Sequence, residues 1–270
     1  MTALSVSPPR GVWVGVGILL ALAEATRRSA KARHASRRLL AAAGLSGIAG
    51  LTVSRLATPW LLAVAGDRVM TSPPTPGAGH SSFAFLWAAG AVTTAAAKVT
   101  LDDRLFDVLV PAGLAGLAVA RLGCLAGGCD FGRITSAPWG LHYPAGSPAW
   151  YAHLHSGAIS AEARLSAPTH PLPLYLAGWT VLSVGAARWL SARRDRRPGA
   201  EELTAAALYA SGRLALETFR APASATVVAG GVSLSRLLAG ASLVAIAAVW
   251  GTRAEGDGDR GPRLERSARE

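Results

Sequence analysis

The chain has 270 residues, 51% hydrophobic and 16% charged, with a mean hydropathy of +0.33. That is too little charge for an ordinary soluble domain, and two cysteines exclude a disulfide-framework protein. A formal net charge of +11 would suit nucleic acid, but the basic residues gather at the ends of apolar blocks with no aromatic-rich basic face, so the charge is assigned to topology and anionic lipid heads.

The apolar blocks, separated by short charged loops, give the layout of a polytopic helical membrane protein. The first covers residues 11–25. Ala21-Leu22-Ala23 has the small-x-small pattern of a cleavage site, but only Arg10 precedes the block, whereas Arg27, Arg28, Lys31, Arg33, Arg37 and Arg38 follow it. That asymmetry predicts a retained helix with its N-terminus outside and its C-terminus in the cytoplasm. The basic run at 27–38 is read as this positive-inside signal rather than as a lipid-concentrating patch.

The second block, 39–65, spans with tilt despite Arg55, and 66–82 is a Pro/Gly/Ser-rich external loop. The third block, 83–97, leads through the turn 98–104 to the fourth, 105–120, which delivers the chain to Arg121. Residues 136–171 are polar, carry prolines and histidines, and are too interrupted to cross. The fifth block, 172–190, precedes Arg193, Arg194, Arg196 and Arg197; the sixth, 203–219, contains Arg213 and Glu217; the seventh is 227–250. Seven crossings put both basic clusters on the cytoplasmic side. The expected fold is therefore all-α, with about seven transmembrane helices in one membrane-embedded domain, 1–251. An extracytoplasmic insert, about 121–171, would separate helices four and five, and 252–270 would be a disordered cytoplasmic tail. The matching Gly/Pro breaks of an inverted-repeat transporter are not visible.

Two stretches carry chemistry. Residues 121–135 hold two arginines, both cysteines and four glycines, which let backbone come close to a ligand or a helix. In the sixth block, Tyr209, Arg213, Glu217 and Arg220 recur at helical spacing and form one narrow stripe. Ionised groups in a span face an interior or a watery cavity. Arg213 and Glu217 are spaced to pair one turn apart, which leaves Arg220, and as an alternative Arg213 too, for an anion. A structural ion pair with one arginine snorkelling to the interface fits the same stripe.

The series Arg121…Gly132-Arg133-x-Thr135, Pro138-Trp139-Gly140, His170-Pro171…Leu174-Tyr175 and Tyr209-x-x-x-Arg213-x-x-x-Glu217-x-x-Arg220 resembles the prolipoprotein diacylglyceryl transferases. Asp107 and Pro111 before it, and 233–238 after it, fit the same order. The resemblance implies a plasma-membrane enzyme that moves the sn-1,2-diacylglyceryl group of phosphatidylglycerol onto the lipobox cysteine of a prolipoprotein signal peptide. Glycerol 1-phosphate is released, and neither cofactor nor metal is needed. It implies catalytic roles for Arg121, Arg213 and Glu217, and substrate contacts for Gly132, Arg133, His170, Tyr175, Tyr209 and Arg220. Guanidinium groups suit a phosphate clamp because they bind bidentately and stay charged.

The chain departs from the family pattern at Cys124, where an asparagine is usual, at Leu172-Pro173 and Leu176, and at Ala84, where the family carries an essential histidine. Val14 stands in place of a tyrosine, and His80, the nearest histidine in sequence to Ala84, is the candidate substitute for the family's histidine. These changes fall on the proton-handling side and motivate a second reading, a non-catalytic relative that binds phospholipid or lipoprotein. An anion transporter would also place arginines on a stripe. Cys124 and Cys129 are compatible with a small disulfide or with two packed thiols. A zinc site with His142, His153 or His155 fits no standard spacing.

Overall fold

The computed structural model describes residues 10–31, 104–193, 199–225 and 232–258, with isolated residues 41, 44, 45, 48 and 52. The second and third predicted blocks, His80 and Ala84 lie essentially outside the described residues. Within them the chain is helical: α1 (Arg10–Lys31), α2 (Arg104–Gly127), α3 (Pro148–His155), α4 (Leu172–Arg193), α5 (Ala200–Leu216) and α6 (Leu234–Gly258). Only isolated antiparallel bridges, and no strands, occur among the described residues. Among the described residues two helices have segments long and apolar enough to cross a membrane, Val108–Gly127 and Leu234–Gly251.

α2 is the hub, packing against α1, α4 and α5, while α5 also packs against α4 and α6. Small residues allow this density. A Cβ on Gly17 of α1 would meet the backbone oxygen of Gly116 in α2, so the two backbones touch. Trp179 of α4 lays its indole over Gly212 of α5 and donates from Nε1 to the Leu208 carbonyl at 2.7 Å. Between α2, α4 and α5 lies an apolar core of Leu114, Ala187, Ala205 and Tyr209, closed by Ala239 of α6.

Two boundaries differ from the sequence reading. The fourth block was expected to end at 120, but α2 runs on to Gly127, so Arg121 and Cys124 belong to a helix rather than to a loop. Gly128 supplies the left-handed residue that ends the helix (φ 65°), and the Cys129 amide donates back to the Cys124 carbonyl at 3.2 Å. This is the six-to-one bond of a Schellman termination, in which the residues at these two positions commonly touch. The second difference is at α5, which stops at Leu216; Glu217–Phe219 form a 3-10 turn, and Arg220 is extended. Arg220 therefore leaves the helical stripe on which its spacing had placed it.

The segment between α2 and α4 packs on its own small core of Phe131, Tyr143, Ala149 and Ala152, joined by Ala221. Its short helix α3 begins with a Ser147 cap accepting from the Trp150 amide at 3.2 Å, with Pro148 in the first turn.

Candidate functional site

The site forms where the C-terminal ends of α2 and α5 meet the start of α6. α2 contributes Arg121. α5 contributes Tyr209 and Arg213, and the turn that follows contributes Glu217 and Arg220. All five are buried. Arg213, only 2% exposed, is the largest fully buried side chain among the described residues. Charges this deep are costly to desolvate and persist only when paired and hydrogen-bonded.

The pairing is a chain of alternating charge. Arg213 Nη1 donates to Glu217 Oε2 at 2.5 Å, as the i,i+4 spacing predicts. Arg220 Nε donates to the same carboxylate at 3.0 Å, and Ser233 Oγ donates to its other oxygen at 2.7 Å. Arg213 Nη2 reaches Ser235 Oγ at 3.1 Å, so both serines at the entry to α6 take part. Asp130 closes the network by accepting from Arg121 with one oxygen and from Arg220 with the other. Tyr209 adjoins Arg121. Burial alone would raise the Asp130 carboxyl, but the charges of Arg220, Arg121 and Arg213 prevail and hold it well below the usual carboxylate range. Burial disfavours the Arg220 cation, and Asp130 and Glu217 more than offset that.

Arg220 and Arg213, the arginines the sequence leaves for an external anion, both have partners within the protein: Arg220 is engaged by Glu217, by Asp130 and, at 3.2 Å, by the Ser224 carbonyl, and Arg213 by Glu217 and Ser235. Nη2 of Arg220 is its nitrogen without a hydrogen-bond partner among the described residues. The residue that sequence reasoning missed is Asp130. The available signal was its position as the one acid in an arginine- and glycine-rich stretch, and its φ of 58° shows a turn built to aim it.

A second layer lies beside the first. Gly132 pairs antiparallel with Arg220, its amide donates to the His170 carbonyl at 3.1 Å, and the next amide, Arg133, donates to Phe219 at 2.8 Å. A Cβ at Gly132 would sit 2.6 Å from the His170 oxygen and 2.9 Å from that of Phe219, so only glycine admits the close approach. Arg133 itself is exposed and donates from Nε to the Arg220 carbonyl at 3.3 Å. The His170, Tyr175 and Phe219 rings cluster with centroids 5.1–6.1 Å apart. Beyond them Trp139 Nε1 donates to Tyr175 Oη at 2.7 Å, at the edge of an open apolar groove lined by Trp139, Leu141, Pro171, Leu174 and Tyr175.

The nine sequence-predicted residues therefore fall into two adjoining groups. Arg121, Tyr209, Arg213, Glu217 and Arg220 share the ionic cluster. Gly132, Arg133, His170 and Tyr175 share the layer against it.

The cysteines stand as thiols, with Cys129 Sγ donating to the Cys124 carbonyl at 3.6 Å. His142 and His155 each place Nδ1 against a backbone carbonyl, of Ser166 and Tyr151, and His153 is buried against Phe131, which pushes its pKa down. No three His, Cys, Asp or Glu side chains converge as metal ligands among the described residues.

Comparison with known proteins yields one family and several curated relatives. A model described as prolipoprotein diacylglyceryl transferase matches residues 11–252. A protein of Geobacter sulfurreducens named phosphatidylglycerol–prolipoprotein diacylglyceryl transferase is 32% identical over 135 residues, 50% of this chain and 45% of that protein. Proteins of the same name from Paraburkholderia phymatum (28% over 168 residues, 57% and 56%) and Paracidovorax citrulli (32% over 152 residues, 54% and 49%) are also similar. The matched stretches span about half the length of these relatives.

Proposed function

Since this chain belongs to the prolipoprotein diacylglyceryl transferase family, we propose that it transfers the diacylglyceryl group of phosphatidylglycerol to the lipobox cysteine of prolipoproteins. The observation that carries this reading is the convergence of Arg121, Arg213 and Arg220 from two helices and a turn onto Asp130 and Glu217. A preorganised guanidinium cluster in a water-poor setting is what stabilises charge building on a departing phosphate ester. Within this proposal the seven spans lie in the plasma membrane, with the N-terminus outside, the tail in the cytoplasm and the 121–171 segment on the outer side.

The chemistry is displacement at carbon. The cysteine thiol loses its proton, and sulfur forms a bond to the glyceryl carbon that bears the phosphate. The carbon–oxygen bond breaks, and its electron pair leaves on glycerol 1-phosphate. Arg121 and Arg213 take the phosphate charge, Glu217 orients Arg213 and Arg220, and Gly132 lets the second layer close on the cluster.

The test is complementation of a strain depleted of its own transferase, with a lipobox reporter followed by mass spectrometry. Gain of the diacylglyceryl mass, lost in Arg121→Ala, supports the enzyme. An unmodified reporter, with the protein expressed and inserted, supports the lipid-binding relative that Ala84 and Val14 suggest.

A further inference from the structure

We propose that His170 accepts the proton of the acceptor thiol, with Tyr175 as its positioning residue. The inference rests on the transferase reading and adds the component that reading lacks, since the reacting thiol must be deprotonated and residue 84 is an alanine.

The placement is specific. His170 lies on the strip of backbone that pairs with Gly132 and Arg133, and Gly132 is two residues from Asp130. Two residues span at most about 7 Å. The backbone that holds the imidazole is thus fixed beside the one that carries the carboxylate between Arg121 and Arg220. On its other side, His170 meets the apolar groove through Tyr175 and Pro171. The imidazole stands between a surface suited to an apolar peptide segment and a cluster suited to phosphate. A thiol attacking the carbon next to that phosphate must arrive at this border.

Hydrogen bonding supplies the orientation. Tyr175 Oη lies 3.3 Å from His170 Nδ1 and already accepts from Trp139 Nε1. A phenolic oxygen has two lone pairs and can accept a second hydrogen bond, and in the proposed arrangement the Nδ1 proton of His170 supplies it. That tautomer leaves the lone pair on Nε2, which makes no hydrogen bond to the described residues. In the step, the thiol proton moves to Nε2, the thiolate sulfur bonds to the glyceryl carbon, and the bridging oxygen departs with its electron pair. The imidazolium keeps its bond to Tyr175 and afterwards returns the proton to the phosphate ester or to water. The groups facing His170 are Tyr175 of α4, Phe219 of the 3-10 turn and the Gly132-Arg133 backbone, with Asp130, Arg133 and Arg220 the nearest charged residues in those segments. The other described histidines are placed differently. Nδ1 of His142 and of His155 faces a backbone carbonyl within the insert, and His153 is sealed behind Phe131.

The experiment uses the full chain in proteoliposomes of phosphatidylglycerol with a lipobox peptide, and binding of a fluorescent short-chain phosphatidylglycerol is measured in parallel. His170→Gln is expected to lower transfer roughly 100-fold or more while binding stays within a few-fold. Free imidazole should restore part of the activity of His170→Gly, and less of it when Tyr175→Phe is added, because the incoming ring then has no acceptor. Transfer by His170→Gln at near the parent rate would overturn the inference and leave the transferase reading standing. Loss of lipid binding together with transfer, without imidazole rescue, would make the histidine structural and overturn it too. No transfer by the parent protein would overturn the transferase reading itself, and the inference with it.

Discussion

Asp130 and Arg220 are 90 residues apart in the chain and meet as an ion pair that ties the loop after α2 to the turn after α5. The same carboxylate holds Arg121, so one side chain fixes the relative position of two guanidinium groups from different elements. The cluster is a structural joint between the two elements.

Removing that carboxylate should loosen the joint. Asp130→Asn leaves Arg121 and Arg220 without the charge between them, and breaking a buried pair in this way costs about 3–5 kcal/mol. Thermal unfolding of the detergent-solubilised protein should show a markedly lower midpoint. A change within 1 °C of the parent would show that the pairing contributes nothing.

The pH dependence follows from the same residue. Because the folded carboxyl titrates well below its unfolded value, its contribution is fully present above the unfolded pKa of about 3.9 and is lost as pH falls through the folded value. Stability should therefore be flat with respect to this group from pH 8 to 5 and decline below about pH 4. Asp130→Asn should remove that component of the acid decline. An unchanged acid limb in the variant would contradict the assignment.

How much of this was legible in the sequence depended on distance along the chain. The Arg213–Glu217 pair follows from i,i+4 spacing on one helix, and the structure has it. Asp130 was marked only as the one acid of the 121–135 stretch, since its partners come from α2 and from the turn after α5 and no local pattern links them. The misplaced end of α2 has a similar cause. Hydropathy falls at Arg121, yet the helix continues because Gly128 rather than polarity terminates it, and buried arginine is tolerated once Asp130 pairs with it. Arg220 was put on the stripe because spacing alone cannot show that a helix tightens into a 3-10 turn at Glu217.

Two glycines report on close packing. Gly212→Ala would drive a methyl group into the Trp179 indole and break the Trp179–Leu208 bond that joins α4 to α5. Overpacking of this kind costs about 1–3 kcal/mol, visible as a lower unfolding midpoint. Normal stability would mean that the indole swings aside freely.

Gly132→Ala acts on the site rather than on the bundle. The added methyl group would press on the His170 and Phe219 carbonyls and separate the second layer from the ionic cluster. Transfer activity is expected to fall by about 100-fold, since small misplacements near reacting groups carry such penalties, with the α2–α4–α5 packing preserved by circular dichroism. Full activity in this variant would show that the two layers act independently.

The most direct test of the central claim, that the arginine cluster is the phosphate clamp of a diacylglyceryl transferase, is mass spectrometry of a lipobox peptide incubated with the purified full chain in phosphatidylglycerol vesicles. The peptide is expected to gain the mass of one diacylglyceryl group, with glycerol 1-phosphate released, and both products are expected to be lost in Arg213→Ala. A peptide of unchanged mass beside folded, lipid-binding protein, or full transfer by Arg213→Ala, would contradict it.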